Sequence, residues 1–357
     1  LTELRGARCL RGIATRTGRA VDVYHDQVRR AVLGALDGPT HERWHRRLAT
    51  TLEASGSTDL EALTYTLRRP RGIAGLISPW NLPLYLLSWK IAPALAVGNT
   101  AVAKPSELTP MTAFLLSELA ARAGIPDGVL NIVHGRGASA GAALVRDKRV
   151  GTISFTGGTA TGAEINRAAA ADFKKVSLEL GGKNPAIVFA DADIEAALET
   201  SVRSAFQNQG QLCLAGSRVF VERSAYPEFS RRLAERARAL SVGDPLGRAE
   251  QGALVSSAHL AKIRRYVRLA RAEGGTVLAG GASPAPGSLP RRCRGGYFFA
   301  PTVIAGLRVD SRVNREEIFG PVVTVTPFDG EEEAISFANA TEYGLSASVW
   351  TRDLDRA

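Results

Sequence analysis

One of the chain's three cysteines, Cys213, lies in the polar stretch Gln207-Asn208-Gln209-Gly210-Gln211-Leu212-Cys213. A cysteine acts as a nucleophile in its thiolate form, and nearby backbone N–H groups or a cationic cofactor would lower its pKa. An inert, buried cysteine is the commoner alternative. A core strand would not naturally carry so many consecutive polar residues, which weakens this alternative, but the stretch by itself still favours an inert thiol.

Two further side chains have types that suit covalent catalysis. Asn81 follows an apolar run and lies between Pro79 and Pro83, where its amide could donate a hydrogen bond to an oxyanion. An asparagine that simply favours a turn is the alternative. Glu179 is a single carboxylate among apolar neighbours, where desolvation is expected to raise its pKa toward that of a general base. Its alternative is an edge-strand glutamate that faces water.

Glycines and a charged pair indicate a dinucleotide site. Gly157 and Gly158 follow an apolar run and open a helical pattern, where backbone N–H groups can receive a pyrophosphate. The spacing is not GxGxxG, and a mere turn is the alternative. Lys104 and Glu107 also follow a strand and could grip an adenosine ribose, or form only a surface ion pair. A carboxylate there would repel a 2′-phosphate, which predicts NAD rather than NADP.

Two weaker signals lie elsewhere. Gly137 belongs to a third glycine-rich turn after a strand. Glu317 and Phe319 could hold a nicotinamide riboside, although acidic residues before a strand are usually solvated.

The elements that must position these residues alternate between strand and helix. Strands are predicted at 71–78, 100–104, 129–133 and 150–155, and helices at 85–97, 111–123 and 138–146. This rhythm predicts an α/β fold with a parallel sheet covered by helices, whose ligands bind at the carboxyl ends of the strands. A second strand-and-helix series runs from Asn184 onward. It contains predicted helices at 225–240 and 257–273, the latter rich in lysine and arginine, and a loop at 280–296.

The N-terminal segment differs in character. Helices are predicted at 24–36 and 45–54, with a boundary near residue 64. No GxxxxGK[ST] phosphate loop accompanies them, so no ATPase activity is predicted.

Composition excludes several classes of protein. The chain has 357 residues and a formal net charge of +10, but its arginines are scattered and form no recognition-helix motif, so no nucleic-acid partner is predicted. No apolar run reaches the roughly 18 residues of a membrane span, and we expect a cytoplasmic protein without membrane contact. An odd number of cysteines without ligand spacing predicts neither a disulfide framework nor a metal site.

Six segments together resemble the NAD(P)-dependent aldehyde dehydrogenase superfamily, in its order and spacing, from about Tyr65 to the C terminus. They are Ile77-Ser78-Pro79-Trp80-Asn81, Lys104-Pro105-Ser106-Glu107, Phe155-Thr156-Gly157-Gly158, Leu178-Glu179-Leu180-Gly181-Gly182-Lys183, Gly210-Gln211-Leu212-Cys213 and Glu316-Glu317-Ile318-Phe319-Gly320-Pro321. Residues 1–63 do not resemble the family; they are faintly similar to a helical segment of bacterial signalling ATPases. The resemblance implies an NAD-binding domain of Rossmann type over 64–181 and an α/β catalytic domain over 182–357.

The resemblance also implies roles. Cys213 matches the nucleophile, Asn81 the oxyanion-binding amide and Glu179 the general base that activates water. The positions that match cofactor contacts are Ile77, Trp80, Lys104, Glu107, Gly137, Gly157, Gly158, Leu180, Glu317 and Phe319. The implied reaction is NAD-dependent oxidation of an aldehyde through a cysteine thiohemiacetal and thioester.

Within the family, residues 76–93 look most like the dehydrogenases of 2-aminomuconate and 2-hydroxymuconate semialdehyde. Family members are homo-oligomers. The chain ends inside a region where the family continues, so we expect parts of the substrate pocket and of the oligomer interface to be missing. The alternative function is therefore an inactive fragment or chimera that at most binds NAD.

Overall fold

A computed structural model describes residues 10–15, 18–23, 46 and 69–357. The chain divides into two compact units, Leu1–Arg69 and Pro70–Ala357.

The first unit contains an antiparallel hairpin. Its strands are β1 (Leu10–Thr15) and β2 (Gly18–Val23), with Leu10 opposite Val23. The prediction of a helical segment over residues 1–63 did not include this hairpin, although Val21 and Val23 alternate with polar Asp22 as in a strand. The helices predicted at 24–36 and 45–54 lie outside the described residues, apart from Arg46, which is helical.

The second unit begins with a five-stranded parallel sheet, as the sequence predicts. Its strand order is β5-β4-β3-β6-β7. The strands are β3 (Ile73–Ile77), β4 (Thr100–Lys104), β5 (Leu130–Ile132), β6 (Val150–Thr156) and β7 (Lys175–Glu179). The helices are α1 (Pro83–Ala96), α2 (Met111–Arg122), α3 (Ala142–Arg146), preceded by a π-helical turn at Gly137–Gly141, and α4 (Thr159–Ala170).

A six-stranded sheet follows. Its order is β10-β11-β12-β9-β8-β13, and every neighbouring pair is parallel except β10 and β11. The strands are β8 (Pro185–Val188), β9 (Arg218–Glu222), β10 (Thr276–Ala279), β11 (Thr302–Ala305), β12 (Val322–Phe328) and β13 (Ser348–Trp350). The helices are α5 (Ile194–Phe206), α6 (Tyr226–Ala239), α7 (Ser257–Ala272), α8 (Arg312–Arg315) and α9 (Gly330–Ala338). The predicted loop at 280–296 contains only short 3₁₀ turns, at Pro286–Ser288 and Arg291–Cys293.

The strands of the second sheet have continuous apolar sequences because the sheet is buried. β9 and β12 are covered on both faces: Val219 and Val323 pack in one cluster, while Phe220 and Val322, which point the other way, pack in others, and all four are at most 2% exposed. Strands buried on both faces carry continuous rather than alternating hydrophobic residues. No helix of the described residues is long and apolar enough to cross a membrane.

Register in the first sheet sets the place of the site. Ile77, at the end of β3, pairs with Lys104 on one side and with Phe155 on the other, while Thr156 pairs with Glu179. The carboxyl ends of four parallel strands therefore lie at one edge, where ligands of such sheets bind. The division of residues 64–357 into two domains at 181/182 stays a prediction.

Candidate active site

Two adjoining cavities lie over this edge of the sheet. The larger has a volume of about 600 Å³ and the smaller, which we call the thiol cavity, about 240 Å³. Both are lined by Pro79, Trp80, Thr156, Gly157 and Gly158, so they form two parts of one cleft.

The cleft collects nearly all the residues that the sequence singles out. The larger cavity is lined by Ile77, Trp80, Lys104, Glu107, Gly137, Gly157 and Gly158. The thiol cavity is lined by Trp80, Asn81, Gly157, Gly158, Leu180, Cys213, Glu317 and Phe319. Among the predicted site residues, Glu179 alone lines neither cavity.

Lys104 and Glu107 form an ion pair inside the larger cavity. Lys104 is 3% exposed and its Nζ donates to Glu107 Oε2 at 3.2 Å and to the Pro105 carbonyl at 3.0 Å. Although partial burial raises it, the pKa of Glu107 is held below its usual value by its own backbone N–H and by Lys104. The cavity thus presents an ionised carboxylate beside a lysine.

The glycine turn after β6 brings backbone close to the cleft. A Cβ at Gly157 would lie 2.5 Å from Cζ of Phe155, so a larger residue would displace that ring. Gly158 faces open space and directly precedes α4, with no side chain capping the helix. Unpaired N–H groups of the first helical turn therefore face the cleft, where an anion would be favoured.

The segment that carries the thiol, which we call the thiol loop (residues 207–213), has an unusual backbone. Asn208, Gln209 and Gly210 are consecutively left-handed, with φ of 53°, 57° and 65°. A Cβ at Gly210 would lie 2.2 Å from the carbonyl oxygen of Gly320. The left-handed backbone and the close Gly320 carbonyl therefore both require glycine at position 210.

Asn81 connects the thiol loop to the first sheet. Its Nδ2 donates to the Gln211 carbonyl at 3.0 Å, and Asn208 Nδ2 donates to the Asn81 carbonyl at 3.0 Å. A primary amide has two N–H donors. The second has no acceptor within residues 69–357, so it is available to an oxyanion in the thiol cavity.

Asn184 fixes the backbone of Cys213 from the other side. Asn184 was not among the site residues predicted from the sequence. It is 3% exposed, and its Nδ2 donates to the carbonyls of Cys213 at 2.7 Å and Ala215 at 3.0 Å. Its Oδ1 accepts from the backbone N–H of Ser346 at 3.0 Å. The available signal was a polar residue directly before a fully apolar strand, where a buried amide must find partners.

The Cys213 thiol is half-buried, and burial raises its pKa above the usual value. The backbone N–H groups of Cys213 and Leu214 act in the opposite direction, whereas Glu317 and Glu179 raise it further. The protein groups alone therefore do not produce the lowered pKa that a nucleophile needs. A cationic ring bound in the cleft would supply the missing positive charge.

The prediction that apolar side chains surround the Glu179 carboxylate is wrong. β7 is the edge strand of its sheet, and Glu179 is exposed rather than enclosed by apolar side chains. Its carboxylate still acts electrostatically on Cys213 and on Lys90. Lys90 is buried and donates to Ser154 Oγ at 3.0 Å, and burial lowers its pKa to about 8.

Glu317 and Phe319 close the far side of the thiol cavity. Glu317 Oε1 accepts from Gly182 N at 2.9 Å, and burial raises the pKa of this carboxyl group. Phe319 is left-handed, with φ of 61°, and its carbonyl lies 2.6 Å from Nε2 of His259. Because a carbonyl can only accept, that nitrogen carries the proton.

His259 and Trp80 complete the aromatic wall of the thiol cavity, and His259 was not among the site residues predicted from the sequence. The ring of Trp80 meets those of His259 and Phe319 edge-on, at 5.3 and 5.4 Å. Burial lowers the pKa of His259. His259 lies in the first turn of α7, where the N-cap residue Ser256 fixes its backbone: Ser256 Oγ accepts from the His259 backbone N–H at 3.2 Å.

Lys183 is a fully buried cation behind the cavity. It is 1% exposed, and its Nζ has no hydrogen-bond partner within the described part of the chain. Burial lowers its pKa to about 7; Arg218 acts in the same direction and Glu317 against it. The charged form of Lys183 therefore opposes folding.

We expect Lys183→Met to raise the urea midpoint of unfolding, and to raise it more at about pH 6 than at about pH 9. The unfolded lysine keeps its proton up to its usual pKa of 10.5, whereas the folded one loses it near 7. Wild-type stability therefore rises with pH across this window, and the advantage of methionine shrinks. The exposed Lys148→Met is the control, and an equal gain at both pH values would contradict the prediction.

Comparison with known proteins agrees with this geometry. The model of the aldehyde dehydrogenase family matches residues 35–357, which begins further toward the N terminus than the motif-based resemblance. The chain is 55% identical over 307 residues to 2-aminomuconic semialdehyde dehydrogenase of Danio rerio, covering 86% of this chain and 63% of the relative. It is 50% identical over 298 residues to 2-hydroxymuconic semialdehyde dehydrogenase of Pseudomonas putida, covering 83% and 61%.

A solved structure supports the same assignment. Betaine aldehyde dehydrogenase of Staphylococcus aureus in complex with NAD⁺ matches with a TM-score of 0.78 and 42% identity, over 81% of this chain and 57% of that chain. The chain thus spans less than two thirds of the length of these proteins. The resemblance and the α/β fold predicted from the motifs are confirmed: the chain belongs to the aldehyde dehydrogenase family.

Proposed function

We propose that the chain binds NAD and oxidises an aldehyde to a carboxylic acid through a thioester on Cys213. The observation that carries this proposal is a single cleft that holds the thiol, a free amide donor and a glycine turn. The names of the semialdehyde relatives, and the NAD⁺ bound by the solved relative, support it.

The residues of the larger cavity fit a dinucleotide. Gly157 leaves no room for a side chain, so backbone approaches the cleft there, and the start of α4 would receive the pyrophosphate. Lys104 and Glu107 would hold the adenosine ribose, and the negative charge of Glu107 favours NAD over NADP. Glu317 and Phe319 would hold the nicotinamide end. When bound, NAD supplies a hydride acceptor and a positive charge near the thiol.

The chain's own residues account for the remaining steps. Cys213 Sγ attacks the carbonyl carbon, and the resulting oxyanion is held by the free N–H of Asn81 and by the backbone N–H of Cys213. Loss of hydride from the thiohemiacetal leaves a thioester on Sγ. Glu179 then takes a proton from water, whose oxygen attacks the thioester carbon, and the C–S bond breaks to release the acid and the Cys213 thiolate. Its exposure leaves this carboxylate open to water.

We propose a semialdehyde that also carries a carboxylate, such as 2-aminomuconate or 2-hydroxymuconate semialdehyde, because relatives of both names are at least 50% identical. The second candidate is a chain that binds NAD without complete turnover. It is favoured by one observation, the exposure of Glu179 outside both cavities. Homo-oligomer formation and a cytoplasmic location remain predictions.

Stopped-flow absorbance of NADH separates the two candidates. Purified chain mixed with NAD and 2-hydroxymuconate semialdehyde should form NADH continuously, in excess of the protein concentration. A burst that stops at one NADH per chain would mean that the thioester forms but is not hydrolysed, which would also support the second candidate. Saturable NAD binding without any NADH would support the second candidate and contradict catalysis.

A further inference from the structure

The arginine-rich helix α7 presents two different faces. Near its N terminus, His259 and Lys262 line the thiol cavity. Further along, Arg264, Arg268 and Arg271 line a separate groove. Their spacing of four and three residues places all three on one helical face.

This groove, which we call the arginine groove, has a volume of about 510 Å³. Its opposite wall is the loop 281–285, and Val267 and Phe299 form a buried apolar floor. It shares no lining residue with either cavity of the cleft.

The loop is shaped to approach the arginines. Gly280 and Gly281 are left-handed, with φ of 68° and 82°. A Cβ at Gly280 would lie 2.1 Å from the Pro301 carbonyl oxygen, and one at Gly281 would lie 3.1 Å from Nη2 of Arg271. Glycine at 281 therefore leaves space for the guanidinium of Arg271 beside the loop.

No residue that the structure describes neutralises the positive charge of the groove. No carboxylate lines it, and neither Arg268 nor Arg271 forms an ion pair within the described part of the chain. Arg264 Nη2 donates to Ser283 Oγ at 2.8 Å, a neutral partner. The nearby carboxylate of Glu273 instead accepts from the backbone N–H groups of Arg312 and Val313.

We propose that the arginine groove binds a small multivalent anion at a site separate from the catalytic cleft. Arg264 and Arg271 lie seven positions apart, about 10 Å along the helix axis, so the three guanidinium groups match a ligand with two or more anionic groups rather than a single one. The planar guanidinium group can donate two parallel hydrogen bonds to a phosphate or to a carboxylate, so either kind of anionic group fits the arginine groove. The apolar floor keeps water from one side and strengthens the attraction.

Sodium tripolyphosphate and citrate are the probes, each compared with sodium chloride at the same ionic strength. We expect at least one of them to raise the melting temperature saturably, because a ligand that binds only the folded state stabilises it. Saturation by tripolyphosphate alone assigns a phosphate ligand, and saturation by citrate alone assigns a polycarboxylate. A response no larger than that to chloride would overturn the proposal.

Arg268→Gln/Arg271→Gln should weaken the binding of that anion at least about tenfold, which is about 1.4 kcal/mol. The control is Arg122→Gln/Arg203→Gln, which removes two exposed arginines in the last turns of α2 and α5. Ser283→Asp, which places a carboxylate opposite Arg264, should also abolish the response. Equal binding by the groove variant and the control would refute the site.

A final arm uses saturating NAD. If NAD displaces tripolyphosphate, the anion occupies the dinucleotide cavity and the proposal fails. If NAD and tripolyphosphate bind independently, the result supports an anion site in the arginine groove, whether or not the chain is catalytically active.

Discussion

Cys213→Ala is expected to abolish continuous NADH formation, lowering the rate at least about 10³-fold, as removal of a covalent nucleophile does in other enzymes. Alanine leaves no group to form the thiohemiacetal from which hydride departs. NAD binding should survive, because Lys104, Glu107 and the glycine turn line the larger cavity, which Cys213 does not reach.

The matched control is Cys293→Ala. Cys293 is a buried thiol that packs with Leu289 and Phe298, away from the cleft. Its loss should leave the rate within about twofold, since it removes a small apolar contact and a hydrogen bond to Asp244, neither of which lines the cleft. Equal rates in wild type and Cys213→Ala would exclude covalent catalysis by this thiol.

Gly210→Ala is expected to have the largest effect on the presentation of the thiol. A left-handed non-glycine residue costs about 1–2 kcal/mol, and the new Cβ would also meet the Gly320 carbonyl oxygen at 2.2 Å. Neither partner of this contact is a flexible side chain, so the thiol loop or the Gly320 segment must move. Overpacking of this kind adds about 1–3 kcal/mol.

Gly124→Ala separates the two causes. Gly124 is also left-handed, with φ of 81°, but its Cβ would meet no atom within 4 Å. We therefore expect urea unfolding to show a loss for Gly210→Ala at least about 1 kcal/mol larger than for Gly124→Ala. The rate of Cys213 labelling by a disulfide reagent should change only in Gly210→Ala. Equal losses and unchanged labelling in both variants would mean that the loop absorbs the methyl group.

Much of the first sheet could be predicted because its signals are local. The strand at 100–104 is predicted with its observed bounds, and the carboxyl-end rule correctly placed Lys104, Asn81 and Gly157 around one cleft. The register of the parallel strands brings together residues that are far apart in the chain. Parallel strands make this prediction possible, since their ends must meet at the same edge.

The remainder depends on contacts that no local pattern contains. The Asn184 side chain is hydrogen-bonded to Cys213, 29 residues away in the chain, and to Ser346, 162 residues away. The residues adjacent to Asn184 in the sequence do not indicate either partner. The exposure of Glu179 depends on β7 being last in the strand order. An apolar stretch reads alike at the centre and at the edge of a sheet.

The position of β7 at the end of the sheet also bears on aggregation through exposed strand edges. A strand at the edge of a sheet offers unpaired backbone groups to any other extended chain and can seed aggregation. Along β7, the residues that alternate outward are Lys175, Ser177 and Glu179, all exposed. Charged side chains on an edge strand discourage such pairing. Lys175 and Glu179 therefore place two charges along this edge of the described sheet, which disfavours its pairing with a foreign strand.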